Sequence, residues 1–181
     1  EQTRKMMNQT LITVGGIIVL VVLIVSIILS CYKKAPSNIA YVLSGIKKQP
    51  RILIGTGGVK VPFFERLDKL FLGQVTVDIK TEQSVPTSDF INVDVDAVAK
   101  VAVSKTPQGL QLAAKNFLNM SDKEIAYQLQ DSLQGNMREI IGTIDLKSLN
   151  NDRDGFSNKV AESAARDMEK LGIEILSCNI Q

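Results

Sequence analysis

Between Met6 and Tyr32 the chain carries no Asp, Glu, Lys or Arg. Within that stretch Leu11 to Cys31 reads LITVGGIIVLVVLIVSIILSC. As a helix rising 1.5 Å per residue this run is about 30 Å long, the thickness of a bilayer's hydrocarbon core. Its β-branched residues would also suit a buried strand, but strands rarely exceed about 10 residues. A cleaved signal peptide has an apolar region of about 7–15 residues followed by small residues. Here the run is longer and is followed by Tyr32-Lys33-Lys34. The expectation is an uncleaved transmembrane helix over 11–31, with a flank over 1–10 and a soluble domain over 32–181. A re-entrant hairpin is the alternative. Gly15-Gly16 is tolerated in a membrane helix and offers a close-packing point.

Flanking bases set the orientation. Arg4 and Lys5 precede the run, whereas Lys33, Lys34, Lys47, Lys48 and Arg51 follow it. This bias puts the large domain in the cytoplasm of a single-pass protein of the cell membrane, with a bacterial inner membrane expected. Cys31, at the cytoplasmic boundary, is a candidate for S-acylation. A small apolar residue closing the helix is the simpler account of it. The chain opens at Glu1 and stops at Gln181 inside a stretch of strand character, so it reads as a fragment.

The rest of the composition excludes much chemistry. The chain has no His, which removes Ser-His-Asp triads, Cys-His dyads and imidazole metal sites. It has no Trp and few aromatics, and its net charge is only +2, so nucleic acid is not an expected partner. Two cysteines, Cys31 and Cys178, make neither a disulfide framework nor a zinc site.

The soluble part opens with strand character. Short apolar runs lie at Ile39–Leu43 and Arg51–Ile54, and Val59–Phe64 contains Pro62, which suits an edge or a bend. Val75, Val77 and Ile79 alternate in the next run, and Thr81–Asp89 carries turn residues. From Ile91 to Val103 apolar residues recur with period 2, which predicts one long strand of an antiparallel sheet with one covered face. Helical signals then take over. Thr106-Pro107 is an N-cap with Pro at the first helical position, and Ser121-Asp122-Lys123-Glu124 is a capping box. Ile125, Leu129, Leu133, Met137 and Ile140 form the stripe of the helix it opens, which closes near Gly142. Leu146 and Leu149 mark a short turn of helix. A last helix starts near Asn151 or Asp152, buries Phe156, Val160, Ala164, Met168 and Leu171, and ends at Gly172 before a final strand. Strands, then helices, then a strand predict an α+β fold with helices packed on an antiparallel sheet.

Several local patterns invite a site and each has a plainer explanation. Gly55-Thr56-Gly57-Gly58 lacks the Gly-Lys-Ser/Thr of a phosphate loop and suits a tight hairpin. Asp94 and Asp96, with Asn92, share a strand face that suits a cation on paper and solvent in practice. Asn150–Gly155 has the look of a calcium loop, but its twelfth position is Ala161, and a helix N-cap accounts for it. Ser104-Lys105 is not part of a Ser-x-x-Lys motif, and no nucleophile has a base beside it.

Four stretches taken together carry a resemblance. They are Phe117-Leu118-Asn119-Met120-Ser121, Leu133-Gln134-Gly135-Asn136-Met137-Arg138-Glu139-Ile140-Ile141-Gly142, Asn151-Asp152-Arg153-Asp154-Gly155-Phe156, and Lys170-Leu171-Gly172-Ile173-Glu174-Ile175-Leu176-Ser177. The series resembles the SPFH (band 7, prohibitin homology) domain, and within it the flotillin branch. Gly57-Gly58 followed by Pro62, and the upstream apolar run, fit the same pattern. Gln134 stands where that pattern has Glu, and Asn136 where it has His.

The resemblance implies a scaffold rather than an enzyme, with no catalytic residue, cofactor or metal to carry over. Implied partners are the lipid bilayer, further copies of the chain in a large ring or cage, and client membrane proteins. The implied role is the organisation of membrane microdomains, with a coiled coil expected downstream. The alternative is a regulatory subunit of a membrane protease or transporter. A membrane-anchored enzyme is disfavoured by the missing His and the missing nucleophile–base pair. Phe63, Phe64, Phe71 and Leu72 are the candidates for contact with the inner leaflet, because such residues favour the interface. Burial in the core is the competing fate for all four.

Overall fold

The computed structural model describes residues 2–45, 50–60 and 64–181. Helix α1 covers Gln2–Cys31, starting well before the apolar run because no Pro or Gly interrupts the polar residues ahead of it. The Thr10 and Thr13 hydroxyls donate back to the carbonyls of Met6 (2.6 Å) and Gln9 (3.1 Å), so neither needs a partner outside the helix. No residue of α1 is buried.

Two three-stranded antiparallel sheets follow. In the first, β2 (Ile39–Ser44) lies between β3 (Arg51–Ile54) and β5 (Arg66–Phe71). In the second, β9 (Asp96–Val103) lies between β6 (Val75–Lys80) and β10 (Ile173–Ile180). Strand β6 buries every second residue, Val75, Val77 and Ile79, and β9 buries Ala97, Ala99, Val101 and Val103. That is the expected sheet with one covered face. Helices α2 (Pro107–Phe117), α3 (Asp122–Thr143) and α5 (Arg153–Lys170) cover it, with α4 (Leu146–Asn151) bridging the last two. Ala40, Val42 and Leu70 of the first sheet belong to the same core, so both sheets share one interior.

The helix starts follow local chemistry. Thr106 Oγ1 accepts from the Gly109 N–H at 3.1 Å. Ser121 and Glu124 make the full reciprocal box, with the Ser121 N–H donating to Glu124 Oε2 at 2.7 Å. That N–H, and then the Ser121 hydroxyl, hold the Glu124 carboxyl below its ordinary range. Asp152, in the calcium-like stretch, caps α5 by accepting from the Gly155 N–H at 2.8 Å.

The predicted long strand is in fact two. Short β8 (Asn92–Val93) pairs with β7 (Val85–Pro86), and the ladder of β9 with β6 begins only at Asp96. The break comes from Thr81, whose hydroxyl accepts from the Val95 N–H at 3.0 Å. Asp94 accepts from the Ser84 hydroxyl at 2.8 Å while Asp96 lies 3.8 Å from Lys80, so the two carboxylates have separate partners. The Gly55–Gly58 segment is a corner rather than a paired hairpin. It delivers β4 (Gly57–Val59) not to β3 but to β1 (Tyr32–Lys34).

The family-like stretches turn out to be joints. Asn119 adopts φ +60° after α2 and docks on β5. Its N–H donates to the Lys69 carbonyl at 2.7 Å, its Oδ1 accepts from the Lys69 N–H at 2.9 Å, and its Nδ2 donates to the buried Asp68 at 2.8 Å. Asn136 is only 7% exposed and joins α3 to α5. Its Nδ2 donates to the Ser132 carbonyl (2.8 Å) and to Asp167 (3.2 Å), and its Oδ1 accepts from Ser163 (2.8 Å). The Asn136 amide, and then Lys170, hold the Asp167 carboxyl below its ordinary range. Asn136→Leu strands these polar groups and is expected to cost about 2 kcal/mol, read as a lower thermal midpoint. A lowered carboxyl stabilises the fold above the unfolded Asp pKa and loses that contribution as pH falls through the folded one. The gap between wild type and variant therefore narrows in acid.

Candidate membrane-facing site

Helix α1 passes into the domain without a linker. Strand β1 starts at Tyr32, the residue after α1 ends, and pairs Tyr32 with Val59, Lys33 with Gly58 and Lys34 with Gly57. The ladder reaches back into the helix end, where the Lys60 N–H donates to the Cys31 carbonyl at 2.9 Å. A Cβ on Gly57 would meet the tip of the exposed Tyr32 ring, so any side chain there would push that ring aside. Arg51 ties the ribbon to its neighbours: its guanidinium donates to Glu65 at 2.8 Å and to the Val59 carbonyl at 3.5 Å.

A rigid ribbon of β1 and β4 thus sits at the end of the apolar helix, with Tyr32, Val59 and Ile54 exposed and Lys33 and Lys34 in solvent. Tyr32 and Val59 were not singled out from the sequence. Tyr32 could have been, since an aromatic directly after an apolar run is an interfacial signal; Val59 becomes visible only once β4 is known to pair with β1.

The four interface candidates separate. Phe64 is 72% exposed. Leu72 is 8% exposed and belongs to the core, and Phe71 is half-buried against it, so burial is the fate of Leu72 and most of Phe71. Leu72 shares the strand face of buried Asp68 and Leu70, and its N–H bond to the Asn38 carbonyl at 2.9 Å continues the pairing of β5 with β2. Phe63 lies outside the described residues. Cys31 is half-exposed at the last turn of α1. Burial pushes the Cys178 thiol up, away from the reactive thiolate form. Among the described residues no group of three or more His, Cys, Asp or Glu could hold a metal ion. One described helix, α1, is long and apolar enough to cross a bilayer.

From the second residue after α1 onward the sequence matches a known domain: the SPFH domain / Band 7 family description covers residues 33–181. The chain belongs to the SPFH / Band 7 family. It is similar to Flotillin-1 of Pongo abelii, with 28% identity over 147 residues, 80% of this chain and 34% of that protein. Human Flotillin-1 is 27% identical over 146 residues, again 80% of this chain and 34% of the relative. Flotillin-1 of Carassius auratus is 28% identical over 146 residues. The chain spans about a third of the length of these relatives. An SPFH domain set directly on an apolar helix is what the flotillin-like resemblance implied, and the joints at Asn119 and Asn136 fall in the stretches that carried it.

Proposed function

We propose that this chain is the membrane-proximal part of an SPFH scaffold, which assembles with its own copies into a ring or cage and organises the membrane patch it encloses. The observation that carries the reading is the linker-free passage from α1 into the β1–β4 ribbon, closed by the Lys60 to Cys31 hydrogen bond of 2.9 Å. An apolar helix that buries nothing within the chain needs lipid around it, and a domain welded to its end is held at the bilayer surface. Phe64, with Tyr32 and Val59, then rests among the headgroups, and Lys33 and Lys34 meet anionic lipid. Catalysis plays no part in this role. The work is done by anchoring, by pairing of neighbouring domains and by exclusion.

The spanning topology, with the domain cytoplasmic, is tested by placing a thiol on the far side of the helix. Lys5→Cys in a Cys31→Ser/Cys178→Ser background should react with an impermeant maleimide applied from outside intact cells. Labelling only after the cytoplasmic side is opened contradicts a spanning helix.

A further inference from the structure

We propose that the open edge of β8 and the cavity beside it form a receiving site for an extended segment of the protein's own chain, the residues that follow Gln181, which carry β10 onward as an added length of strand.

Three hydrogen bonds fix which way the main chain faces between Ile91 and Asp96. The Ile91 carbonyl accepts from the Thr87 N–H at 2.9 Å and the Val95 carbonyl from the Thr81 N–H at 3.2 Å, both on the side of β6 and β7. The Asp96 carbonyl accepts from the Gln181 N–H at 2.9 Å, on the side of β10. Successive residues of a paired strand turn their N–H and C=O to opposite sides. Asn92 and Asp94 therefore face the β10 side, as Asp96 does. Among the described residues nothing bonds to the main chain of Asp94. An edge left open in this way is a template for a further strand.

The ladder of β10 with β9 runs straight at this edge. Ile180 lies opposite Ala97, and Gln181 bonds to Asp96. The next positions of the same antiparallel ladder fall opposite Val95, Asp94 and Val93. Beside them is a cavity of about 650 Å³, with Ile91, Val93, Leu146, Leu149, Phe156 and Ile180 in its lining. An apolar cavity of about 150 Å³ accepts benzene, so several side chains have room. Val93 and Leu149 are only half-buried against the core, and a strand laid here completes their cover. The rim sets Asp89 and Asp94 against Lys147 and Arg153, so its charges balance and single out no ionic ligand. The groups left without partners are main-chain amides and apolar side chains, and an extended chain satisfies both. The protein's own chain is the occupant because it arrives already paired and in register, without the entropy cost of bringing in a second molecule.

The consequence is mechanical. Helix α1 enters the domain without a linker, and the added strand makes the exit equally stiff. The domain then holds whatever follows it at a fixed orientation to the membrane.

The test is amide hydrogen exchange, resolved to single residues, on the protein continued past Gln181 with its own sequence and on residues 1–181 alone. In the longer protein the Asp94 amide should be protected as the Val98 amide is, which faces β10 in the existing ladder. In residues 1–181 the Asp94 amide should exchange faster by about tenfold or more, the worth of one hydrogen bond. Leu149→Cys, in the Cys31→Ser/Cys178→Ser background, should react slowly with a maleimide in the longer protein and quickly in the shorter. An Asp94 amide that exchanges freely in the longer protein while Val98 is protected overturns the proposal. So does an Asp94 amide or a Leu149→Cys thiol that behaves alike in both chains. Protection that is lost on dilution overturns it as well, because the occupant then belongs to another molecule.

Discussion

Replacing Gly172 with alanine is expected to lower the thermal midpoint of the protein by about 4–20 °C. Gly172 follows the end of α5 with φ +76°, and its carbonyl accepts from the Ser104 N–H at 2.8 Å. A Cβ there would lie 2.1 Å from the Gly109 carbonyl oxygen and 2.7 Å from the Ala113 nitrogen, both in the backbone of α2. Backbone atoms of a packed helix cannot step aside as a side-chain tip can. The variant therefore meets about 1–2 kcal/mol of left-handed strain and about 1–3 kcal/mol of overpacking. Gly142→Ala is the control. Nothing lies within 4 Å of the added methyl, and the helix around it is regular, so this change should stabilise by about 0.5–1 kcal/mol.

Charging α1 should abolish membrane insertion only when enough charge is added. Each Leu, Ile or Val of the run favours insertion by about 0.3–0.6 kcal/mol, about 6 kcal/mol together, while a central Asp opposes it by about 2.5–3.5 kcal/mol. Leu23→Asp alone should leave the protein in the membrane after an alkaline wash. Leu20→Asp/Leu23→Asp/Ile27→Asp, at about 8–10 kcal/mol of cost, should release nearly all of it. The released protein should retain the wild-type near-ultraviolet signature, because α1 buries no residue and the domain does not depend on it.

What could be seen in the sequence was what depends on neighbours in the chain. The caps at Thr106 and Ser121, the short α4, and the stop at Gly172 are short-range chemistry, and each stands where the pattern put it. The long apolar helix α1 was legible from the length of its apolar run alone. Long-range partners were not. Nothing around Asp94 says that Thr81 will take the Val95 N–H, so one strand was expected where there are two. Nothing in Gly55–Gly58 says that β4 will pair with Tyr32–Lys34, far upstream. The interface candidates show the same division. Phe64 and Leu72 are both apolar, and the pairing of β5 with β2 separates them: it sets Leu72 on the face of buried Leu70, while Phe64 lies ahead of that ladder. Asn136, read as a departure from the family pattern, proved to be a fully bonded joint between two helices.

The measurement that bears most directly on a membrane-anchored scaffold is the native mass of the protein after gentle extraction from its membrane. The account predicts a discrete particle of many copies, whose mass is unchanged by dilution and which carries no stoichiometric partner. A monomer or dimer that persists under mild extraction, or a small complex holding one client protein in fixed ratio, would contradict it.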